Sequence, residues 1–278
     1  MPGSVIVPAH DEERVLPRTL GKLLSGLPLD VQVLVVPNGC RDRTAEVARS
    51  FGPRVEVVEV EEASKTAALN AGDSAARGYP RVYLDADVDL SGGDLAKVLA
   101  TLEAGAVAAE PVACLETRGA SACVRAYYAV WRALHGREPG DVGCGLYALS
   151  EVGRARFGAF PSVISDDGFV RAHFAPGEIR HVTEAESVVL TPRSLGGLLK
   201  IKTRSRLGAL QLEQRFPDLW ARKRELGRSL GQKMLGLPVH LWPLLPLYAL
   251  VQVLVRRRAG RLALDLEGYR WERDESSR

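Results

Sequence analysis

Cysteine is scarce in this 278-residue chain, and its placement narrows the field. Cys40, Cys114, Cys123 and Cys144 form no C-x-x-C pair and no metal-ligand spacing, which argues against a zinc ribbon or a dithiol redox site. They read as reduced thiols of a cytosolic protein. No glycine-rich phosphate loop follows the first apolar run, where Pro8-Ala9-His10-Asp11 stands instead. Internal repeats and low-complexity tracts are missing, and so is any recognised nucleic-acid motif. No basic leader precedes Val5-Ile6-Val7, so no signal peptide is expected and the globular part should face the cytoplasm.

What remains is the composition of a folded domain with a sizeable core: 46% hydrophobic and 26% charged residues. The net charge of +3 hides an asymmetry. Between Arg193 and Arg261 fifteen Lys or Arg face only Glu213, Asp218 and Glu225, giving +12 there and −9 elsewhere. A basic region of this kind suits phosphates or an anionic membrane.

Short apolar runs alternate with helical periodicity through the first half, as βαβ units with a mostly parallel sheet require. Strands are expected at Val5–Pro8, Val31–Val36, Val55–Val60, Val82–Leu84 and Ala106–Glu110, with a late hairpin at Ile179–Val182 and Ser187–Leu190. Helices are expected at Glu12–Leu24, Arg43–Phe51, Lys65–Arg77, Gly93–Leu102 and Ser121–His135, and two more before Gly236. Leu237–Val255 is almost unbroken apolar sequence, followed by Arg256-Arg257-Arg258. Its length reaches the minimum for a membrane span, but Pro238, Pro243 and Pro246 argue against a straight helix. Membrane contact, spanning or interfacial, is expected there, with a packed core helix as the alternative.

Six constellations carry chemistry. Asp85-Ala86-Asp87 follows a buried strand, where carboxylates can hold a hard divalent cation with positions left for phosphate oxygens. Asp11 and Glu12 follow the first strand and could bind ribose or a base edge, or simply begin a helix. Asn38, after the second strand, offers a donor and an acceptor to the imide edge of uracil, beside Gly39. Lys65, at a helix start, could reach a diphosphate. Asp166-Asp167 could supply a general base, or cap a helix. Lys200, Lys202, Arg204 and Arg206, after a Gly196-Gly197 turn, could cover a diphosphate or lie as a solvated face.

Taken in order, these motifs resemble family 2 glycosyltransferases with the GT-A fold, over roughly Val5 to Gly208. Pro8 to Glu12 matches the family's Pro-x-x-Asn-Glu with Asp11 in place of Asn. Asn38 to Thr44 matches Asp-Gly-Ser-x-Asp-x-Thr with Asn38 in place of the base-reading Asp. Lys65 to Gly72 fits the lysine and Ala-Leu-Asn-x-Gly segment, and Asp85-Ala86-Asp87 fits the metal signature. Gly143-Cys144-Gly145 resembles the acceptor-side loop, and Asp166-Asp167 falls on the Glu-Asp motif of the base. Of Gln-x-x-Arg-Trp only Arg204 has a counterpart.

The resemblance implies an inverting, metal-dependent transfer from a nucleoside diphosphate sugar, UDP-linked by expectation, to a hydroxyl of a lipid-linked or small-molecule acceptor. Pro8, Ala9, Asp11, Glu12, Asn38, Lys65, Asp85, Ala86, Asp87 and Arg204 would hold the donor. Asp87, with Asp85, would ligate Mn²⁺ or Mg²⁺, and Asp167, or else Asp166, would be the base. The expected organisation is a catalytic domain over residues 1–192 (nucleotide-sugar half 1–110, acceptor half 111–192). A basic helical segment (193–234), an apolar membrane-associated or packing helix (235–258) and a polar tail (259–278) follow. The site would work at the inner face of the cell membrane, with no nucleic acid involved. Two alternatives stand beside this reading: an inactive membrane-bound sugar-nucleotide scaffold, and a sugar-1-phosphate nucleotidyltransferase.

Overall fold

The computed structural model describes residues 3–135, 143–224 and 237–264. Its contacts divide into two compact units, each drawn from several stretches of chain. The first comprises Met1–Cys114, Gly143–Ser162 and Phe174–Val189; the second comprises Leu115–Val142, Val163–His173 and Leu190–Arg278.

The first unit is built on an eight-stranded sheet. Its strands are β1 (Ser4–Ala9), β2 (Gln32–Pro37), β3 (Glu56–Val57), β4 (Arg81–Leu84), β5 (Val88–Leu90), β6 (Ala108–Glu116), β7 (Leu146–Leu149) and β8 (Ile179–Leu190), in the order β3-β2-β1-β4-β7-β6-β8-β5. The first four neighbours run parallel, while β7 is antiparallel to both β4 and β6, and β5 is antiparallel to β8. Parallel strands need crossover helices, and α1 (Leu16–Leu24), α2 (Thr44–Arg49) and α3 (Lys65–Ala75) provide them, with α4 (Gly92–Glu103) after β5. Both faces of the central strands are therefore covered, so β1 is buried at all six positions and reads as a continuous apolar run. Val5, Val7, Val33, Val35, Val82 and Leu84 meet Leu16, Leu20 and Leu23 of α1 in one core.

Register decides where the chemistry falls. Ala9 pairs with Pro37, and Ile6 pairs with Tyr83. The carboxyl ends of β1, β2 and β4 thus open at one edge, with Asp11, Asn38 and Asp85 just beyond them.

The second unit is helical: α5 (Ala122–His135), α7 (Asp166–Arg171), α8 (Leu195–Arg215), α9 (Pro217–Arg224), a 3₁₀ turn (Val239–Leu244) and α10 (Leu245–Leu262). The short α6 (Glu151–Arg154) belongs to the first unit. The core of the second unit is aromatic, with Tyr127 stacked on Tyr248 at 5.1 Å and Val124, Leu198, Leu241, Val251 and Val255 around them.

Several elements differ from expectation. The late hairpin is one strand, β8, because Thr183 to Glu186 contains no turn residue and keeps the extended alternation. Gly196 and Gly197 do not make a turn; they lie in the first turn of α8, which Ser194 caps by accepting the Gly197 amide at 3.1 Å. Helix α1 begins at Leu16, four residues later than periodicity suggested, which leaves Asp11 and Glu12 in the preceding turn. Strand β6 extends to Glu116, and β5 was not foreseen. The three prolines sort themselves by tolerance: Pro238 precedes the 3₁₀ turn, Pro243 lies within it, and Pro246 sits in the first turn of α10.

Candidate active site

The site begins with two loops tied together. After β1, Asp11 takes a left-handed conformation (φ 49°), and its Oδ1 accepts the Arg41 amide at 2.6 Å. Asp and Asn tolerate this conformation better than other residues with a Cβ, so the turn selects them. The Glu12 amide donates to Thr44 Oγ1 at 2.7 Å, and the Glu13 amide to Asp42 Oδ2 at 3.0 Å. Burial opposes ionisation of Asp42, but the Thr44 hydroxyl and the Glu13 and Thr44 amides outweigh it and hold the carboxyl below its usual value. Neither Asp11 nor Glu12 caps α1; the residue before that helix is Val15, which makes no side-chain cap.

Asn38 is buried, and its Nδ2 donates to the Ala9 carbonyl at 2.9 Å and the Val36 carbonyl at 3.3 Å. Its amide hydrogens therefore brace the ends of β1 and β2, which leaves acceptance at Oδ1 as its route to a base. Gly39 (φ +54°) is required here, since a Cβ would lie 2.6 Å from that of Ala63. Pro8 and Ala9 are strand residues whose side chains are buried. The Ala9 carbonyl also receives the Cys40 thiol at 3.4 Å. Burial pushes that thiol's pKa up, so Cys40 is a poor nucleophile when metal-free.

The Asp-x-Asp turn follows β4. Lys65 Nζ, on the first residue of α3, lies 2.6 Å from Asp85 Oδ1. Asp87 is half-buried beside it in sequence, and buried Ala86 offers its carbonyl to Thr19 Oγ1 at 2.8 Å. Asp89 is different in kind: it is buried and paired with Arg18 and Lys22, both at 2.7 Å. Helix α1 therefore holds the turn from below through Arg18, Thr19 and Lys22, residues that sequence reading passed over. Their signal was a polar i, i+1, i+4 cluster on an otherwise apolar helix facing the acidic run.

The glycine loop lies against the same turn. The Asp85 amide donates to the Gly145 carbonyl at 2.9 Å. Gly145 (φ +65°) admits no side chain, because a Cβ would fall 2.3 Å from Val88 Cγ2. Cys144 is buried, its carbonyl accepts the Ser187 hydroxyl at 3.0 Å, and Gly143 is exposed. Asn70, a candidate by motif, instead clamps the backbone of Phe160 with both ends of its amide, at 2.8 and 2.9 Å.

The remaining candidates belong to the second unit. Asp166 and Asp167 open α7, whose cap is Ser165 rather than either aspartate. Asp166 is buried; Asp167 is exposed and accepts the Ser165 hydroxyl at 2.7 Å. On α8, Lys200 is exposed and Arg204 half-buried. Lys202 turns inward instead: its ammonium sits 4.2 Å from the Trp131 ring centre, 5.1 Å from Tyr128 and 5.8 Å from Tyr127. Desolvation lowers its pKa to about 8. The four basic residues therefore do not form one solvated face.

Comparison with known proteins bears on the fold. A mannosyltransferase from Pyrobaculum calidifontis, solved with GDP-Man and Mn²⁺, superposes with a TM-score of 0.59 at 21% identity, covering 96% of this chain and 76% of that one. Glucosyl-3-phosphoglycerate synthase from Mycobacterium tuberculosis, solved with Mn²⁺, UDP and its product, gives 0.55 at 20%, covering 76% and 79%. The fold is thus GT-A: a Rossmann-like, mostly parallel sheet flanked by helices, with an added apolar C-terminal helix. Residues 4–133 match the family model for glycosyl transferase family 2. A 4,4′-diaponeurosporenoate glycosyltransferase from Staphylococcus haemolyticus is 37% identical over 93 residues, 32% of this chain and 24% of that one. The chain spans less than half the length of the curated relatives it matches.

Proposed function

We propose that the protein is a glycosyltransferase that moves a sugar from a nucleoside diphosphate donor, UDP-linked, onto an acceptor hydroxyl with inversion at the anomeric carbon. The observation that carries this reading is the Lys65–Asp85 pair at the carboxyl edge of the sheet, in line with the Asp11 and Asn38 loops. A cation on a helix N-terminus beside a carboxylate pair is a combination that suits a diphosphate bridged to a metal.

The donor set fits a hard divalent ion. Asp85 and Asp87 contribute carboxylate oxygens, while Asp89 is held by Arg18 and Lys22 and falls outside the set. Two carboxylates plus substrate phosphates are the usual complement for Mg²⁺ or Mn²⁺. When bound, the ion neutralises the charge that develops on the leaving diphosphate. Lys65 adds its charge at the same place. Asp11 and Glu12 hold the ribose, Asn38 the base and Arg204 the diphosphate, while Pro8, Ala9 and Ala86 line the donor with backbone. Asp167 takes the acceptor proton. Its exposure favours it over buried Asp166, and the Ser165 hydroxyl fixes its orientation. Gly143, Cys144 and Gly145 shape the acceptor side.

The acceptor is proposed to be lipid-linked, and the chain to lie on a membrane rather than cross it. By length and composition Val239–Leu262 could span. Yet α10 buries Tyr248, Val251, Val255 and Ala259 in the core of its own unit. Val239, Trp242, Leu250, Val253 and Leu254 remain exposed, with Arg256, Arg257 and Arg261 beyond them. Full burial of such side chains is worth about 1.5–3 kcal/mol each, and each arginine near anionic lipid about 1. Summed over the five apolar side chains and three arginines, the apolar term is the larger, so the apolar face should supply most of the interfacial binding and the arginines a preference for anionic lipid.

Nucleoside diphosphate release from a panel of UDP- and GDP-sugars, with a polyprenyl-linked sugar in anionic vesicles as the hydroxyl acceptor, tests the proposal. Metal-dependent release from a UDP-sugar supports it, whereas release from none of them counts against it.

A further inference from the structure

His10, Asp11 and Cys40 come together where the first two loops meet: one ligand-type atom from each lies within 4.8 Å of the others. All three belong to the first unit and are half-exposed. The imidazole is oriented for ligation. Its Nδ1 lies 2.5 Å from the Asn38 carbonyl, and since a carbonyl only accepts, Nδ1 carries the hydrogen, which in the neutral ring leaves the lone pair on Nε2. Nε2 points toward Asp11 Oδ2, 3.8 Å away. Metal-bound histidines are commonly fixed by this second-nitrogen bond to a backbone carbonyl. Asp11 is held as well, by the Arg41 amide on its other oxygen and by its own amide, which donates to Cys40 Sγ at 3.4 Å.

We propose that His10, Asp11 and Cys40 bind a single borderline divalent cation of the zinc type, and that its occupation obstructs the nucleotide. Imidazole, carboxylate and thiolate are a zinc ligand set, and three protein ligands leave a fourth position for water. This donor set differs in kind from the two carboxylates of the Asp-x-Asp turn, which suit Mg²⁺ or Mn²⁺. Closing from 4.8 Å to metal-ligand spacing requires side-chain rotation of about an ångström, and the bound ion displaces the thiol proton to solvent. The obstruction rests on the proposed function, because Asp11 and Asn38 are then nucleotide contacts.

Cobalt titration into the full-length protein tests the site, since thiolate-bound Co²⁺ shows near-ultraviolet charge-transfer absorption. One equivalent should develop the band in the wild type. Cys40→Ser should lose it while keeping a hydroxyl for the loop hydrogen bonds, although Cys114, Cys123 and Cys144 remain. His10→Gln should weaken cobalt binding about tenfold or more. No band, or a band retained in Cys40→Ser, would overturn the site. In the second arm, one equivalent of Zn²⁺ should weaken UDP binding in the presence of Mg²⁺ for the wild type and not for Cys40→Ser. Equal UDP affinity with and without Zn²⁺ would overturn the obstruction. If UDP fails to bind even without Zn²⁺, the donor reading falls, and the cobalt band alone decides the cation site.

Discussion

The molecule carries two acidic clusters, and they are organised on opposite principles. Asp85, Asp87 and Asp89 alternate in sequence around a turn, which the Val88 amide closes by donating to the Asp85 carbonyl at 3.2 Å. Packing then separates them: α1 captures Asp89, Lys65 takes Asp85, and Asp87 is left half-exposed at the sheet edge. Asp166 and Asp167 are adjacent in the first turn of a helix, where successive residues point in different directions. One is buried and the other exposed. Around the turn the sorting is done by cations, and on the helix it is done by burial.

Removing the exposed carboxylate of the helix pair should have the largest effect. Asp167→Asn should lower turnover by about 10²- to 10⁴-fold, while UDP affinity measured by calorimetry stays within about twofold. An equal loss in both would place Asp167 in donor binding instead. Asp89→Asn should act on stability. Its hydrogen bonds to Arg18 and Lys22 join a buried carboxylate to partly exposed cations, so the loss should be about 1–2 kcal/mol, or roughly 3–6 °C in Tm. Nucleotide stoichiometry should stay at one, since Asp89 is outside the ligand set.

On α8 the corresponding contrast lies between Lys202, held among aromatic rings, and exposed Lys200. Lys202 titrates near 8 in the folded chain against 10.5 when unfolded, because its ammonium is desolvated among rings. Between those values the unfolded chain binds more protons, so stability rises with pH across the window. Wild type should therefore gain stability relative to Lys202→Met from pH 8 to 10 in denaturant titrations. A constant difference would mean the ammonium is better hydrated than its surroundings imply.

The sheet and its chemical edge were legible because their causes are local. Val5-Ile6-Val7 and Val82-Tyr83-Leu84 are apolar runs that end in acids, and Asp11, Asn38 and Asp85 fall together once the strands run parallel. Lys65 and Asp85, twenty positions apart in sequence, meet at 2.6 Å at that edge. What escaped depends on distant contacts. Nothing near Asp89 distinguishes it from Asp87 until α1 docks. Lys202 reads like Lys200 until α5 presents Trp131. Asn70 looks like a ligand residue until Phe160, ninety positions on, takes both ends of its amide. The faces of α10 were hidden for a related reason: apolar residues surround the helix, and only packing shows which of them meet protein.

The central claim is a metal-dependent nucleotide site at the Asp-x-Asp turn, and calorimetric titration of UDP tests it most directly. The wild-type protein should bind one equivalent with Mn²⁺ and lose most of that affinity with EDTA. Asp87→Ala should behave with Mn²⁺ as the wild type does with EDTA. UDP binding of equal strength in all three conditions would contradict the account.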